Sequence, residues 1–147
     1  MGTVHCGDLD IAGKSEKELQ KIRKEEIGFA SQDALVFDDL SVIANVKVGG
    51  GTTERCLELL DGAGLSDFEN MSGGRISGGE RQRVGVAQAL AKDPSMVLMD
   101  EPTSSLDKAA SALVIAQLRA AADRGAAVLV ATHDDMVKDE ADQVIQL

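Results

Sequence analysis

Four sets of residues in this 147-residue sequence are of types and spacings that could do chemistry. Ser77 and Glu80 stand three apart and form a capping-box pattern at a helix start. Gly78 and Gly79 between them leave backbone amides uncovered, and a helix start with bare amides at its positive dipole end is a site for phosphate. Arg75, Arg81 and Arg83 add positive charge nearby. Taken alone, the same residues also describe an ordinary well-capped helix. Met96 to Glu101 reads as an apolar strand that delivers two carboxylates to its carboxyl end, where open α/β sheets bind ligands. Asp100 there suits Mg²⁺, usually held through water. Glu101, pointing to the other side, suits a general base acting on water. The plainer reading is a strand ending in a polar turn at Pro102-Thr103. His133 ends a further apolar run, where a neutral imidazole could contact a phosphate and orient an attacking water. A lone histidine is more often structural. Gln32 could touch a metal or water but means nothing by itself.

These residues need elements to position them. Thr3 to Cys6 and Leu9 to Ile11 flank Gly7-Asp8, a short hairpin pattern in which His5 is a surface residue. Ser15 and Glu18 form a second capping box ahead of a charged helix to Glu26. Ile27 to Ala30 reads as a buried strand running into Gln32, Asp33 to Asp39 as a loop, and Ser41 as the cap of a short helix to Val46. Gly49-Gly50-Gly51 reads as a flexible break, a hinge or shortened connection. Thr53 is the expected cap of the next helix, with Cys56, Leu57, Leu59 and Leu60 inward and Gly62 and Gly64 at its end. Asp67 to Gly74 is read as a loop. A helix from Gly78 to about Lys92 must stop before Pro94. The run Met96 to Met99 suits a parallel sheet covered on both faces. Asp107 caps a helix carrying Leu113, Ile115, Ala116 and Leu118, which Gly125 stops. Ala127 to Ala131 reads as a second buried strand, followed by a short acidic helix and a last strand from Gln143 to Leu147. Alternating strands and helices make an α/β fold.

Composition narrows the partners. A single domain of this length can bury a substantial core. Fifteen Lys+Arg against 25 Asp+Glu give a net charge of −10, which argues against nonspecific binding to nucleic acid or anionic membrane. With no Trp or Tyr and only three Phe, platforms for stacking bases are scarce. No apolar run approaches the ~20 residues that cross a bilayer. Cys6 and Cys56 lack metal-ligand spacing and read as reduced thiols in a cytoplasmic protein.

Order and spacing join the pieces. Gln32 precedes Ser77 by 45 positions, Asp100 follows Ser77 by 23, and His133 follows Glu101 by 32. With RISGGERQRV and LMDEPTSSLD between, the chain from Gly2 to Leu147 resembles the ATPase subunits of ABC transporters. Within that family, SEKELQKIRKEEIGF looks most like the lipoprotein-release and peptide-export ATPases. The resemblance implies an incomplete P-loop NTPase fold: a parallel sheet with flanking helices, and a shortened helical subdomain over about 33–92 that carries the signature motif. It also implies the roles. Gln32 matches the Q-loop and touches nucleotide and metal, and Ser77, Gly78 and Gly79 belong to the nucleotide-binding signature. Asp100 matches the Walker B metal ligand and Glu101 the catalytic glutamate. Asp107 matches the nucleotide-contacting D-loop, and His133 the switch histidine. ATP and Mg²⁺ are the implied ligands. The implied partners are a second ATPase subunit and a membrane permease at the inner face of the membrane.

One block of the family's pattern is not matched. The sequence opens where the family's second hairpin strand would lie, past the phosphate-binding loop Gly-x-x-x-x-Gly-Lys-Ser/Thr. Gly13-Lys14-Ser15 imitates that loop, but the upstream glycine is Gly7, one position too far, and Asp8 and Asp10 would repel phosphates. Residues 1–147 are therefore expected to be a truncated form, inactive alone, with unpaired strand edges that favour a homo-oligomer or a heterodimer with a full-length ATPase. The alternative is a degenerate, non-catalytic binding or regulatory module that lends only its signature motif. A chromosome-maintenance ATPase, whose signature also reads SGGE, fits neither the charge nor the lack of coiled-coil heptads.

Overall fold

The computed structural model describes residues 2–6 and 8–146. Strands β1 (His5–Cys6) and β2 (Leu9–Asp10) pair antiparallel in a small hairpin. Its expected Gly7-Asp8 turn lies at Gly7 outside the described residues. Helix α1 (Glu16–Glu26) follows, capped as its sequence dictates: Ser15 and Glu18 hold each other's backbone amides. Those bonds to Ser15 keep the Glu18 carboxyl below its ordinary pKa. Strand β3 (Ile27–Ala30) leads into helices α2 (Val42–Lys47) and α3 (Thr53–Gly62), and two 3₁₀ turns replace the expected loop before α4 (Gly78–Leu90). Strand β4 (Met96–Asp100), α5 (Lys108–Asp123), β5 (Ala127–Ala131) and α6 (Asp135–Asp139) complete the order. Strands β3, β4 and β5 form one parallel sheet, with Ala30 opposite Met99 and Asp100 opposite Ala131.

The core lies between one face of this sheet and the helices. Gly28, Ala30, Val97 and Met99 are buried on that face, where α4 and α5 pack. Alternation sends Phe29, Leu98 and Leu129, which pair side by side, to the other face. Phe29 is 63% and Leu129 65% exposed, so among the described residues no helix covers this side. The expectation of a sheet covered on both faces is corrected, and with it the reading of Ala127 to Ala131 as a buried strand. An apolar run reads the same whether its second face is covered or open. The expected last strand does not form either: residues 143–146 are irregular, and Leu147 is not described.

Smaller corrections have local causes. The cap of α3 is Thr52, whose hydroxyl accepts from the Arg55 amide, and Leu57 faces outward while Cys56, Leu59 and Leu60 are buried. The three glycines are no hinge. A Cβ on Gly49 would meet the Gln88 carbonyl oxygen at 1.9 Å, and one on Gly51 the Ala91 carbonyl oxygen at 2.2 Å. Glycine is needed there because the chain after α2 runs against the backbone of α4 with no room for a side chain. Nearby, fully buried Asn45 ties a loop to this helical layer. Its Oδ1 accepts from the Phe37 amide at 2.7 Å, and its Nδ2 donates to the carbonyls of Phe37, Leu40 and Ser41.

Both features predict measurable losses in urea unfolding. Asn45→Ala leaves partly buried backbone groups without partners and is expected to cost about 1–3 kcal/mol. Gly49→Ala forces α2 and α4 apart and is expected to cost about 1–3 kcal/mol, whereas Gly78→Ala, where a Cβ meets nothing within 4 Å, is expected to be near neutral. Equal stabilities for Gly49→Ala and Gly78→Ala would show that the glycines serve flexibility rather than close approach.

Candidate functional site

Parallel pairing brings the carboxyl ends of all three strands to one edge of the sheet. Gln32 follows β3 there, Asp100 and Glu101 end β4, and His133 follows β5. Gln32, Glu101, Thr103, Ser104, His133 and Asp134 line a wide hollow of about 600 Å³. The structure thus brings together three residues predicted from far-apart stretches of sequence.

Glu101 is the best held of them. It takes a left-handed backbone conformation (φ 47°), which turns its side chain out of the strand's alternation. Its amide donates to the Ala131 carbonyl at 2.8 Å, and its carbonyl accepts from the Ser104 amide at 3.3 Å. One carboxylate oxygen accepts from the Thr132 hydroxyl at 3.2 Å, and the other lies 3.6 Å from Nε2 of His133. The Glu101 side chain is 20% exposed while His133 is fully exposed. A largely desolvated carboxylate beside an exposed imidazole can take a proton from water and leave the imidazole to contact an anion. Asp100 shares the sheet's open face with Met96 and Leu98 and is exposed at its end.

The signature-like residues form a second group. Ser77 caps α4, its hydroxyl accepting from the Glu80 amide at 3.3 Å while Glu80 accepts from the Ser77 amide at 2.7 Å. The capping box uses those two amides and leaves the amides of Gly78 and Gly79 pointing outward. This end sits against the loop that carries Asp107, since a Cβ on Gly79 would lie 3.3 Å from Leu106. Asp107 itself caps α5 by accepting from the Ala110 amide at 2.8 Å. None of Ser77, Gly78, Gly79 and Asp107 lines the hollow.

Two of the three arginines credited with drawing phosphate are otherwise engaged. Arg81 pairs with Asp38 at 2.7 Å and donates to the carbonyls of Gly73 and Val36. Arg83 donates to the carbonyls of Ala63 and Gly79. Each fastens a loop or helix end to α4, and only Arg75 is left exposed. The loop imitation at Gly13-Lys14-Ser15 lies in the turn before α1, where the Ser15 hydroxyl donates to Glu18 at 2.7 Å. It does not line the hollow.

Sequence reasoning missed Thr103, Ser104, Thr132 and Asp134. Pro102-Thr103 was legible only as turn chemistry, and a hydroxyl beside a histidine gives no signal of its own.

Fit to a metal can be judged from the donors. Among the described residues no group of three or more His, Cys, Asp and Glu side chains could hold a cation by itself. Asp100 and Gln32 can supply the one or two protein ligands that Mg²⁺ takes when phosphates and waters complete its shell. Oxygen donors of this kind suit a Mg²⁺ that arrives with a nucleotide; Gln32 lines the hollow and Asp100 does not.

A profile of the ABC transporter family matches residues 1–104. The chain is 36% identical to the lipoprotein-releasing system ATP-binding protein LolD of Gluconobacter oxydans, over 99% of this chain and 67% of that protein. It is 34% identical to the phosphonates import ATP-binding protein PhnC of Hyphomonas neptunium, over 98% of this chain and 61% of that protein. Against the macrolide export ATP-binding/permease protein MacB of Shigella flexneri it is 36% identical, over 99% of this chain and 24% of that protein. The chain thus spans between about a quarter and two thirds of these relatives. Among solved structures, the ATP-binding cassette MJ0796, a dimer bound to ADP and Pi, superposes with a TM-score of 0.83 at 30% identity, over 97% of this chain and 67% of that one. Fold, site order and relatives agree that the chain belongs to the ABC transporter family, within its ATP-binding domain.

Proposed function

We propose that this chain is an ATP-binding and ATP-hydrolysing subunit of an ABC-type transporter that acts with a second ATPase chain. The observation that carries the reading is the meeting of Glu101, His133 and Gln32 around one hollow at the carboxyl edge of the sheet. In this reading Glu101 takes the proton of the attacking water, His133 contacts the terminal phosphate, and Asp100 with Gln32 takes the protein's share of the metal shell. ATP with Mg²⁺, when bound, supplies the phosphoryl group and the charge that offsets its transfer. Residues 33–92 serve as the helical subdomain that presents Ser77, Gly78 and Gly79, and Asp107 joins them, toward nucleotide held by the partner.

The 147 residues contain no Gly-x-x-x-x-Gly-Lys-Ser/Thr pattern. Such a loop cradles the β- and γ-phosphates with its amides and lysine. Residues 1–147 alone are therefore proposed to turn over ATP no faster than background, and a heterodimer with a full-length ATPase to hold at most one working site. A second reading, a non-catalytic module that lends only its signature helix, is favoured by the separation of Ser77 to Gly79 from the hollow. Permease docking and a place at the cytoplasmic face of a membrane belong to both readings; no helix of the described residues is long and apolar enough to cross a membrane.

Hydrolysis assays separate them. The chain alone is expected to be silent, and mixing with a full-length ATPase to give turnover that Ser77→Arg abolishes. Because the working site of that mixture takes its phosphate loop from the partner, Glu101 is tested in a chimera with the partner's phosphate-loop segment placed ahead of residue 1: if Glu101→Gln lowers its turnover by about a hundredfold, the size of a lost general base, the first reading stands; unchanged turnover selects the second. Robust Glu101-dependent hydrolysis by the chain alone overturns both. Lys14→Ala is expected to leave nucleotide binding by calorimetry unchanged.

The uncovered sheet face gives a further expectation for assembly. Light scattering is expected to show association that grows with concentration and weakens in Leu129→Asp. That substitution should cost less than about 0.5 kcal/mol, because the side chain is already in water. A monomer at every concentration would remove self-association from the proposal.

A further inference from the structure

The turn after β4 and the segment after β5 are joined by a closed ring of side-chain bonds. The Thr132 hydroxyl donates to Glu101 at 3.2 Å and accepts from the Asp134 amide at 3.0 Å. A hydroxyl has a single proton, so accepting from that amide aims the proton at the carboxylate. Asp134 in turn accepts from the Thr103 hydroxyl at 2.6 Å and from the Met136 amide at 2.9 Å. Thr103 is only 4% exposed and lies two residues beyond Glu101, so the ring returns to the turn where it began. Glu101 and Asp93 are the non-glycine residues with positive φ among those described. A side chain in that region costs about 1–2 kcal/mol, which the surroundings must offset for Glu101 to stay in place.

We propose that Thr132 is a positioning residue for Glu101: its hydroxyl, aimed by the Asp134 amide and braced through Asp134 by Thr103, holds the carboxylate in one orientation beside His133. The geometric part stands on these bonds. Its meaning for turnover rests on the reading of Glu101 as the base. Thr132 contacts neither nucleotide nor metal in this scheme. Without its hydroxyl, the carboxylate keeps only the 3.6 Å approach to a fully exposed imidazole, and it samples solvent-facing rotamers. A base that is out of line with its water for most of the time loses rate without losing nucleotide affinity.

The test uses the whole chain and the variants Thr132→Val, which keeps the shape and removes the hydroxyl, and Thr132→Ser, which restores it. The primary readout is the set of three-bond couplings at the Glu101 β-protons by NMR, with the amide resonances of β4 and β5 as the check on folding. A single Glu101 rotamer in the natural chain and in Thr132→Ser, averaged in Thr132→Val, is the expected result. A single rotamer retained in Thr132→Val, or averaging already present in the natural chain, overturns the proposal. If Thr132→Val does not fold, Thr132→Ala is read in the same way. The second readout is hydrolysis by the chimera that carries the partner's phosphate-loop segment ahead of residue 1. There Thr132→Val is expected to lower kcat roughly tenfold with KM for ATP within about twofold, and Thr132→Ser to recover it. A rotamer loss with turnover independent of Glu101 in every variant overturns the base assignment and leaves the positioning role supported.

Discussion

Parallel pairing is the constraint on which the site depends. Strands that run the same way end on the same edge, so residues far apart in sequence arrive together without any contact between their own neighbours in the chain. Ala30, opposite Met99, and Asp100, opposite Ala131, end their strands at this edge, and the turns that leave them carry Gln32, Glu101 and His133. The hydrogen bond from the Glu101 amide to the Ala131 carbonyl carries the ladder one residue past β4, into the turn itself. The hollow is thus an outgrowth of sheet register. Slipping β5 by one residue would reverse the faces of its side chains and take Thr132 away from Glu101.

Around this edge, much of the rest of the molecule is a frame fastened to α4. Its first turn meets the Asp107 loop through Gly79, its arginines hold the segments at Val36 and Ala63, and its last turns receive the chain at Gly49 and Gly51. Lys92, just past its end, donates to the carbonyls of Arg23 and Lys24 at the end of α1. Burial lowers the pKa of that ammonium, yet it remains the partner of two carbonyls that a helix end leaves open. One helix therefore sets the distance between the signature-like serine and the sheet.

Much of this was legible in the sequence, and the exceptions have physical causes. Caps are local events: Ser15, Ser41, Ser77 and Asp107 act where side-chain chemistry and spacing said they would. That Gln32, Glu101 and His133 would meet at one edge was legible because the order of strands and turns along the chain is itself a pattern. What stayed hidden depends on contacts between distant segments. Gly49 to Gly51 looked like slack, because a close backbone approach and a flexible linker ask for the same residue. Arg81 and Arg83 looked like positive charge free to favour a phosphate, because no sequence shows which carbonyls a guanidinium will reach. The open face of the sheet was hidden for the plainest reason: apolar residues at Phe29 and Leu129 say that cover would be favourable, and nothing in them says what provides it.

Asn45 has a consequence of a different kind. It fixes the course of the loop after Gln32 from beneath, through backbone groups of Phe37, Leu40 and Ser41 alone. The outward side chains of Phe37 (43% exposed) and Leu40 (38% exposed) take no part in those bonds. Shape and lettering are therefore separate at these two positions: Asn45 from beneath and Arg81 from the side hold the backbone, and the letters at 37 and 40 can be changed while the path of the chain stays the same.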